Sequence, residues 1–253
     1  MIWKYLRLKK RKVIFAISKT NFNLRDDNIN YYEMYHKNPK YQRELYDFYE
    51  RTYKDLKNGI LPKSYPKGPM LQDFYLIYPG FTYKFWRTEY IKSFGFPLFA
   101  EDWVKPLAQW IGDRPCLEIM AGTGYFSYAL KQYGCNIKAT DNYSWSNKFD
   151  TVNKFIDVEN LDCIEAIRKY GKGVKFIICS WPYMDNMAYR CLMTMREVNP
   201  KCRMIYIGED MGGCTANDAF FEAIEVCDVQ GFKDAVMKYR RWEGIYDYIA
   251  LFK

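Results

Sequence analysis

The segment LEIMAGTGY, residues 117–125, carries the clearest structural signal in the chain. It predicts a short apolar strand, a tight turn of small residues and a helix that begins at Tyr125. Ala121, Gly122 and Gly124 keep bulky side chains out of the turn, so a ligand can lie against the backbone. In open α/β sheets, ligands bind beyond the carboxyl ends of the strands. The segment therefore predicts a ligand site at the edge of such a sheet.

Outward from this segment, strand-like apolar runs alternate with helix-like runs. The predicted helices are Glu101–Ile111, Tyr125–Tyr133, Leu161–Tyr170, Asn186–Val198 and Thr215–Cys227. The predicted strands are Cys116–Met120, Ile137–Thr140, Phe155–Val158, Val174–Cys179, Met204–Gly208, Ala235–Tyr239 and Ile245–Phe252. Such alternation indicates a mostly parallel sheet that is covered on both faces. Only Arg240–Gly244 separates the last two strands, and so short a connection forces an antiparallel hairpin.

Two acidic residues stand at the ends of neighbouring strands. Asp141 follows the second strand, 23 residues after Glu118, which is about the interval expected for a carboxylate that binds ribose hydroxyls. Dinucleotide folds use G-x-G-x-x-G to bring a pyrophosphate to the start of a helix. Here Ser127 occupies the third glycine position, and Met120 or Ala121 the first. Glu118 would repel a phosphate but suits an ammonium group.

The pattern Glu118-x-x-Ala121-Gly122-x-Gly124 resembles motif I of the class I S-adenosylmethionine (SAM)-dependent methyltransferases, and the terminal antiparallel hairpin is typical of that fold. The resemblance covers about residues 97–253. It implies a Rossmann-like, seven-stranded, mostly parallel sheet with SAM as cofactor. It also implies that the glycine turn lies against the methionine part of SAM, that Asp141 holds the ribose, and that residues 157–159 flank the adenine. The implied cofactor-binding residues are Glu118, Met120, Ala121, Gly122, Gly124, Tyr125, Asp141, Asn142, Asp157, Val158 and Glu159.

The sequence after the fourth strand, Ser180-Trp181-Pro182-Tyr183, lies where this family places its catalytic loop. It resembles the [D/N/S]-P-P-[Y/F/W] motif of amino-methyltransferases. The resemblance implies that Ser180 Oγ accepts a hydrogen from the target amino group and that Tyr183 stacks on a planar target. Trp181 departs from the motif, because an indole cannot reproduce the fixed φ of proline. Three alternatives follow: a loop of different shape, a second aromatic wall, or a plain turn with Trp181 as a core plug.

Glu209 follows the fifth strand in the run EDMGGCT. It reaches the same sheet edge as the other loops, so it is a candidate general base or a ligand for a cationic group. The alternative is a solvated loop with a helix cap. One subclass is disfavoured: ribose 2′-O-methyltransferases carry an aspartate of a Lys-Asp-Lys-Glu tetrad where this chain has Ser180.

The first part of the chain differs from the rest in charge and in aromatic content. Residues 1–100 hold 19 Lys and Arg against 9 Asp and Glu, whereas residues 101–253 hold 19 against 21. Residues 1–95 contain 13 tyrosines, and residues 26–58 predict a helix. We therefore divide the chain into a helical, aromatic-rich region, 1–95, for substrate recognition or as a lid, and a methyltransferase domain, 96–253. The excess positive charge indicates a polyanionic partner such as DNA, RNA or a nucleotide, or else a solvated surface.

Composition sets further bounds on the chain. With 253 residues, 49% hydrophobic side chains and a mean hydropathy of −0.42, the sequence is typical of a globular protein. It has no apolar run near 18 residues, so no membrane span is expected, and residues 13–17 are too short for a signal-peptide core. Eight cysteines without C-x-x-C spacing and a single histidine predict no metal site. Several cysteines lie in apolar runs and are expected to be buried, reduced thiols in a cytoplasmic protein.

Three functions fit the sequence. The first is a SAM-dependent methyltransferase acting on an amino group of a nucleic acid or nucleotide. The second keeps the enzyme but gives it a protein side-chain amide or a small molecule as acceptor. The third is a methyltransferase-like fold that serves as a non-catalytic binding or structural subunit. Salt dependence of binding separates the first two, and SAM binding separates both from the third.

Overall fold

The computed structural model describes residues 38–66, 86–144, 154–242 and 244–253. The basic residues near the start of the chain, the first part of the helix predicted over 26–58, and most of the aromatic run 74–86 lie outside the described residues. A six-stranded sheet forms the centre of the described part. Its strands are β1 Cys116–Ile119, β2 Ile137–Asp141, β3 Val158–Asn160, β4 Phe176–Ser180, β5 Arg203–Gly208 and β6 Tyr248–Phe252.

The strand order is β3-β2-β1-β4-β5-β6, and all neighbours are parallel except β5 and β6. This confirms the predicted fold class, a mostly parallel α/β sheet of Rossmann-like type with an antiparallel final strand. In the register, Ile119 lies opposite both Thr140 and Cys179. The residues that follow these strands therefore meet at one edge of the sheet.

Helices cover both faces of the sheet. They are α1 Pro39–Lys57, α2 Trp86–Phe94, α3 Glu101–Ile111, α4 Tyr125–Lys131, α5 Cys163–Tyr170, α6 Met187–Val198, α7 Asp218–Ala223 and α8 Gln230–Val236. The apolar sides of α3, α4 and α8 pack on one face, whereas α5, α6 and α7 pack on the other. The helix predicted over 215–227 is shorter in the structure, where only α7 forms. The N-cap of α7 is Asn217, whose side chain accepts a hydrogen bond from Phe220 N.

The predicted strand at Ala235–Tyr239 is wrong. Its first residues belong to α8, because Phe232, Ala235 and Val236 have helical spacing and bury one apolar stripe. The seventh strand of the expected sheet does not form among the described residues. Instead, Val226 makes an isolated antiparallel bridge with Phe252 and occupies the edge beside β6.

The N-terminal helices join the main core. Leu45, Tyr49 and Leu56 of α1 are buried in the same apolar cluster as Trp103 and Tyr125. The Tyr125 hydroxyl donates to Leu56 O at 3.2 Å. At least part of the tyrosine content of the first 95 residues therefore stabilises the fold and is not displayed for recognition.

Composition led to two further expectations, the absence of a membrane span and the burial of reduced cysteines. Within the described ranges, no helix is both long and apolar enough to cross a bilayer. All eight cysteines are free thiols; six are buried, Cys214 is exposed and Cys227 is partly exposed.

Candidate active site

A cavity of about 420 Å³ opens at the carboxyl edge of the sheet. The loops after β1, β2 and β4 form one side of it, and the chain from the end of α2 to the start of α3 forms the other. The predicted site residues that line it are Glu118, Met120, Ala121, Gly122, Asp141, Asn142, Ser180, Trp181, Pro182 and Tyr183. The predicted residues outside its lining are Gly124, Tyr125, Asp157, Val158, Glu159 and Glu209.

The turn after β1 has three residues in the left-handed region of backbone conformation, which glycine adopts most easily. Met120, Gly122 and Gly124 all have positive φ, at 54°, 55° and 72°. A Cβ on Gly124 would lie 2.7 Å from Val158 Cγ2, so this glycine permits close packing against β3. A Cβ on Gly122 would meet no atom within 4 Å. Gly122 is therefore the glycine that leaves room for a ligand, whereas Gly124 serves packing.

Asp141 is fixed at the end of β2 by the backbone of two loops. Its Oδ2 accepts from Gly122 N at 2.7 Å, and its Oδ1 accepts from Tyr143 N at 2.6 Å. The residue is buried and lines the cavity. A carboxylate can accept about four hydrogen bonds. This geometry therefore suits a carboxylate that also accepts from a sugar hydroxyl.

Glu118 is a buried carboxyl group beneath the glycine turn. Its Oε2 accepts from both the backbone N–H and the hydroxyl of Ser127. Burial raises the pKa of Glu118 to about 7, although the bonds from Ser127 act in the opposite direction. Ser127, which occupies the third glycine position of a dinucleotide motif, therefore anchors Glu118 here.

The residues predicted to flank an adenine lie outside the cavity. Asp157 is exposed, and Val158 packs behind Gly124. Glu159 pairs with Lys138 and Lys169, each at 2.8 Å, and hydrogen bonds from these lysines lower the pKa of Glu159 to about 2. These residues lie outside the cavity lining because β3 begins at Val158 and not at residue 155, which moves its carboxyl end further along the chain.

Leu161 and Cys163 line the cavity where β3 ends. Sequence reasoning missed both, although Leu161 is the first apolar residue after the strand. They give this part of the cavity the apolar character that an adenine ring needs.

The loop after β4 does not have the backbone of a proline motif. Trp181 has a φ of 52°, whereas proline is confined to about −65°. Such a conformation costs a bulky residue on the order of 1–3 kcal/mol. Trp181 N donates to Ile207 O at 2.7 Å, and the indole stacks on Phe96 with ring centroids 3.8 Å apart. Trp181 thus has a backbone that proline cannot adopt, and its indole both lines the cavity and packs against the main core.

The two flanking residues of this loop differ in exposure. Ser180 ends β4 and is partly buried at the cavity wall. Tyr183 is 62% exposed, so it lies at the mouth of the cavity and not in its depth.

A buried acid lies behind Trp181. Asp247 Oδ2 accepts from Trp181 Nε1 at 3.1 Å and also from the Tyr239 hydroxyl. Burial raises the pKa of Asp247 to about 6. Sequence reasoning found neither Asp247 nor Phe96, because both contact Trp181 from distant parts of the chain.

Glu209 lies away from the cavity and serves as a clamp. Its Oε1 accepts from Tyr246 N at 2.9 Å, and its Oε2 accepts from Cys214 N at 2.8 Å. Each oxygen thus accepts from a backbone N–H, and the two bonds join the loop after β5 to the segment before β6. The helix cap expected near Thr215 is also replaced, because Thr215 Oγ1 accepts from Glu209 N instead.

Carboxylates outnumber cations in the cavity lining, and aromatic rings form much of its apolar surface. Among the described residues, its charged members are Glu118, Asp141, Asp185 and a single cation, Lys92. Phe94, Phe96, Pro97 and Phe99 form the wall contributed by the N-terminal side. An excess of carboxylates repels phosphate and favours a ligand with positive charge. No group of His, Cys, Asp and Glu that would hold a metal ion occurs in the part of the chain that the structure describes.

Comparison with known proteins finds distant similarities to solved structures. No protein-family model and no curated protein sequence matches the chain. Similar solved structures include a magnesium protoporphyrin IX methyltransferase from Synechocystis PCC 6803 with bound SAM (11% identity, TM-score 0.36, 59% of this chain and 76% of that one). A Pyrococcus abyssi tRNA (uracil-54, C5)-methyltransferase with S-adenosyl-L-homocysteine has 12% identity and a TM-score of 0.33, over 59% and 37% of the chains.

A coclaurine N-methyltransferase bound to N-methylheliamine and S-adenosylhomocysteine has 12% identity and a TM-score of 0.29, over 82% of this chain and 65% of that one. The chain thus spans less than two thirds of the second and third of these proteins. Their names specify three different acceptors. At such low identities and TM-scores, function has to be inferred from the residues of the site itself.

Proposed function

We propose that this chain is a SAM-dependent methyltransferase. The observation that carries the proposal is the cavity, where the glycine turn, Asp141 and the Ser180–Tyr183 loop converge on a lining whose described residues include three carboxylates and one lysine. SAM carries a sulfonium and an ammonium group against one carboxylate, so its net positive charge matches this lining, whereas the pyrophosphate of a dinucleotide does not. When bound, SAM supplies an electrophilic methyl group on the sulfonium.

The residues present fit such a cofactor. The open space above Gly122 lets a ligand approach the backbone. Asp141 is held in place to accept from ribose hydroxyls, and Glu118 lies where it can pair with the ammonium group. Leu161 and Cys163 provide an apolar surface for the adenine.

For the acceptor, we propose an amino group on a nucleic acid or nucleotide. Ser180 at the end of β4 is positioned to accept a hydrogen bond from that amino group, and the aromatic wall of Phe96 and Trp181 suits a planar base. The protein contributes mainly orientation, which brings the amine lone pair in line with the methyl group. Because Lys92 is the one cation that the described residues add to the lining, phosphates would remain outside, which favours a base within a polynucleotide over a free nucleotide.

A second acceptor class is supported by a specific observation. Trp181 departs from proline geometry, so the loop does not reproduce the backbone of the [D/N/S]-P-P-[Y/F/W] motif. The aromatic half of the cavity also suits a neutral planar small molecule. A protein side-chain amide belongs to the same class, since it presents a planar amino group as well.

Isothermal titration calorimetry with SAM and S-adenosylhomocysteine tests the cofactor. We expect both to bind and NAD to bind at least tenfold more weakly. Asp141→Asn should weaken SAM binding, whereas Asp157→Asn, at an exposed position outside the cavity, should not. Failure of the wild-type chain to bind SAM would support the non-catalytic alternative.

Transfer of labelled methyl groups tests the acceptor. The protein is incubated with methyl-labelled SAM and denatured DNA, total RNA, free nucleotides or a whole-cell extract of small molecules and proteins. We expect label in a nucleic acid. Label found only in a protein or a small molecule would reject the nucleic-acid acceptor but keep the methyltransferase.

A further inference from the structure

The segment 239–247 supports both members of the aromatic wall from behind. Trp242 Nε1 donates to Phe96 O at 2.9 Å, and Asp247 Oδ2 accepts from Trp181 Nε1 at 3.1 Å. Trp242 and Asp247 are only 2% and 1% exposed. One short segment before β6 thus holds the backbone of one ring and the side chain of the other.

Trp181 depends on such support. Its left-handed backbone is unfavourable for a bulky residue, and such conformations persist when surrounding contacts over-determine them. Its N–H bond to Ile207 O fixes the backbone, and two contacts with described residues orient the indole ring. One is the stack on Phe96, with the rings 9° from parallel, and the other is the bond to Asp247.

The stack alone does not select one orientation of the indole. Two flat rings can slide or rotate over each other at small cost, because offset arrangements are similarly favourable. A hydrogen bond to a buried carboxylate is directional and stronger than a neutral one. The Tyr239 hydroxyl in turn holds Asp247. The chain Tyr239–Asp247–Trp181 therefore sets the angle of the ring that faces the cavity.

We propose that Asp247 is a positioning residue, which fixes the Trp181 indole against Phe96 so that the acceptor half of the cavity has a rigid flat wall for a planar acceptor group. Trp181 stands where the motif has its first proline, so the bond to Asp247 supplies stiffness that the fixed φ of a proline would otherwise give. The assignment of the wall to the acceptor rests on the proposed function. The effect of Asp247 on Trp181 does not, and it can be measured without any substrate.

The direct test uses ¹⁹F NMR of protein labelled with 5-fluorotryptophan. The chain has seven tryptophans, and Trp181→Phe assigns the relevant signal. We expect Asp247→Ala to shift or broaden the Trp181 signal. Asp247→Asn, whose amide oxygen still accepts from the indole, should restore it. Tyr239→Phe removes the bond that holds Asp247 but leaves the bond from Asp247 to Trp181, so it should shift the Trp181 signal less than Asp247→Ala does.

A second measurement covers the case in which Asp247→Ala does not fold. In the wild-type protein, exchange of the Trp181 indole N–H with solvent should be much slower than that of a free indole. Exchange at the free rate would overturn the proposal, as would an unchanged Trp181 signal in folded Asp247→Ala.

Binding and transfer assays then connect Asp247 to the acceptor. Affinity for S-adenosylhomocysteine should stay within twofold in Asp247→Ala, while KM for the nucleic acid labelled by the wild type should rise. In a double-mutant cycle with Trp181→Phe, the two effects on KM should be non-additive by roughly threefold or more. Lost affinity for S-adenosylhomocysteine in folded Asp247→Ala would overturn the specific role at the acceptor wall. If wild-type protein binds no SAM, the proposed function fails, but the ¹⁹F result still decides the role of Asp247.

Discussion

Glu118 is a buried carboxyl group whose ionisation falls in the neutral range. Burial raises the pKa of Glu118 to about 7, so the free protein at pH 5.5 holds a proton there. Only the ionised form pairs with the ammonium group of SAM, and binding must then release that proton. Affinity for SAM should therefore rise with pH, by roughly tenfold between pH 5.5 and pH 7.0.

Calorimetry at several pH values measures this dependence, and buffers of different ionisation enthalpy report the proton released. Glu118→Gln should flatten the profile over this range. Glu165→Gln, at an exposed position on α5, is the control and should leave it unchanged. A profile that keeps its slope in Glu118→Gln would assign the proton to another group.

Gly122 and Gly124 form a natural pair for testing the turn, since both have positive φ. Gly124→Ala adds a clash with Val158 Cγ2 at 2.7 Å, whereas Gly122→Ala meets no atom within 4 Å. Both variants carry a backbone penalty of about 1 kcal/mol. We expect Gly124→Ala to unfold at a clearly lower urea concentration than Gly122→Ala. Gly122→Ala should instead weaken SAM binding, because its methyl group would occupy the space used by the ligand. Equal loss of stability in the two variants would contradict this division.

Glu209 links the loop after β5 to the segment before β6, in addition to the ladder between the two strands. Glu209→Gln turns one acceptor oxygen into a donor that faces a backbone N–H. Such a loss costs about 1–3 kcal/mol, or about 2–4 °C in melting temperature for each kcal/mol in a chain of this size. SAM affinity should not change.

Ser180→Ala is the complementary variant, since Ser180 is partly exposed at the cavity wall. It should leave the melting temperature unchanged and reduce methyl transfer. Thermal melts and transfer assays on both variants separate a clamp from a catalytic group. A Glu209→Gln protein that keeps the wild-type melting temperature and binds SAM, but transfers no methyl group, would indicate that Glu209 acts as a general base.

The elements of this fold differ in how far local sequence determines them. Strand β1, the glycine turn and α4 follow from the 117–125 pattern, because their apolar periodicity is local. The segment 232–236 is ambiguous in sequence, since a run such as Phe232, Ala235 and Val236 fits a helix as well as a buried strand. The edge bridge of Val226 with Phe252 depends on pairing between distant residues, which no local pattern encodes.

In the candidate site, too, some residues follow from local sequence and others depend on contacts between distant parts of the chain. Asp141 and the Ser180–Tyr183 loop could be predicted because each directly follows an apolar strand. Asp157, Val158 and Glu159 lie outside the cavity lining because β3 begins later than the local sequence suggests, and the ends of a short strand are poorly defined by local sequence. The partners of Trp181 could not be predicted, because Phe96 and Asp247 reach it through contacts over 85 and 66 residues of chain.

The charge of the whole molecule is concentrated at its start. Residues 1–37 hold nine Lys and Arg against three Asp and Glu, and these residues lie outside the described part. In contrast, the described helix α1 mixes both signs, and several of its tyrosines are buried or packed against the core. If a polynucleotide binds, we expect the first 37 residues to neutralise part of its phosphate charge, while its base enters the acidic cavity.

Charge-neutralising variants of the full chain test this arrangement. The basic variant replaces Lys9, Lys10, Arg11 and Lys12 with glutamine. The control variant replaces four exposed lysines that lie toward the opposite edge of the sheet: Lys131, Lys172, Lys175 and Lys201. Affinity for a fluorescent single-stranded oligonucleotide is measured over a range of salt concentrations. The negative slope of log K against log salt should become less steep by roughly 0.7 for each phosphate that the basic variant no longer neutralises.

The control variant removes the same net charge, so it should keep the wild-type slope if binding is local. Equal slopes in the two variants would mean that only the overall charge attracts the oligonucleotide, without a defined binding region. A wild-type affinity that does not depend on salt would instead favour a neutral acceptor. Affinity for SAM should be the same in all three proteins, and that equality would show that the charge changes have left the proposed cofactor site intact.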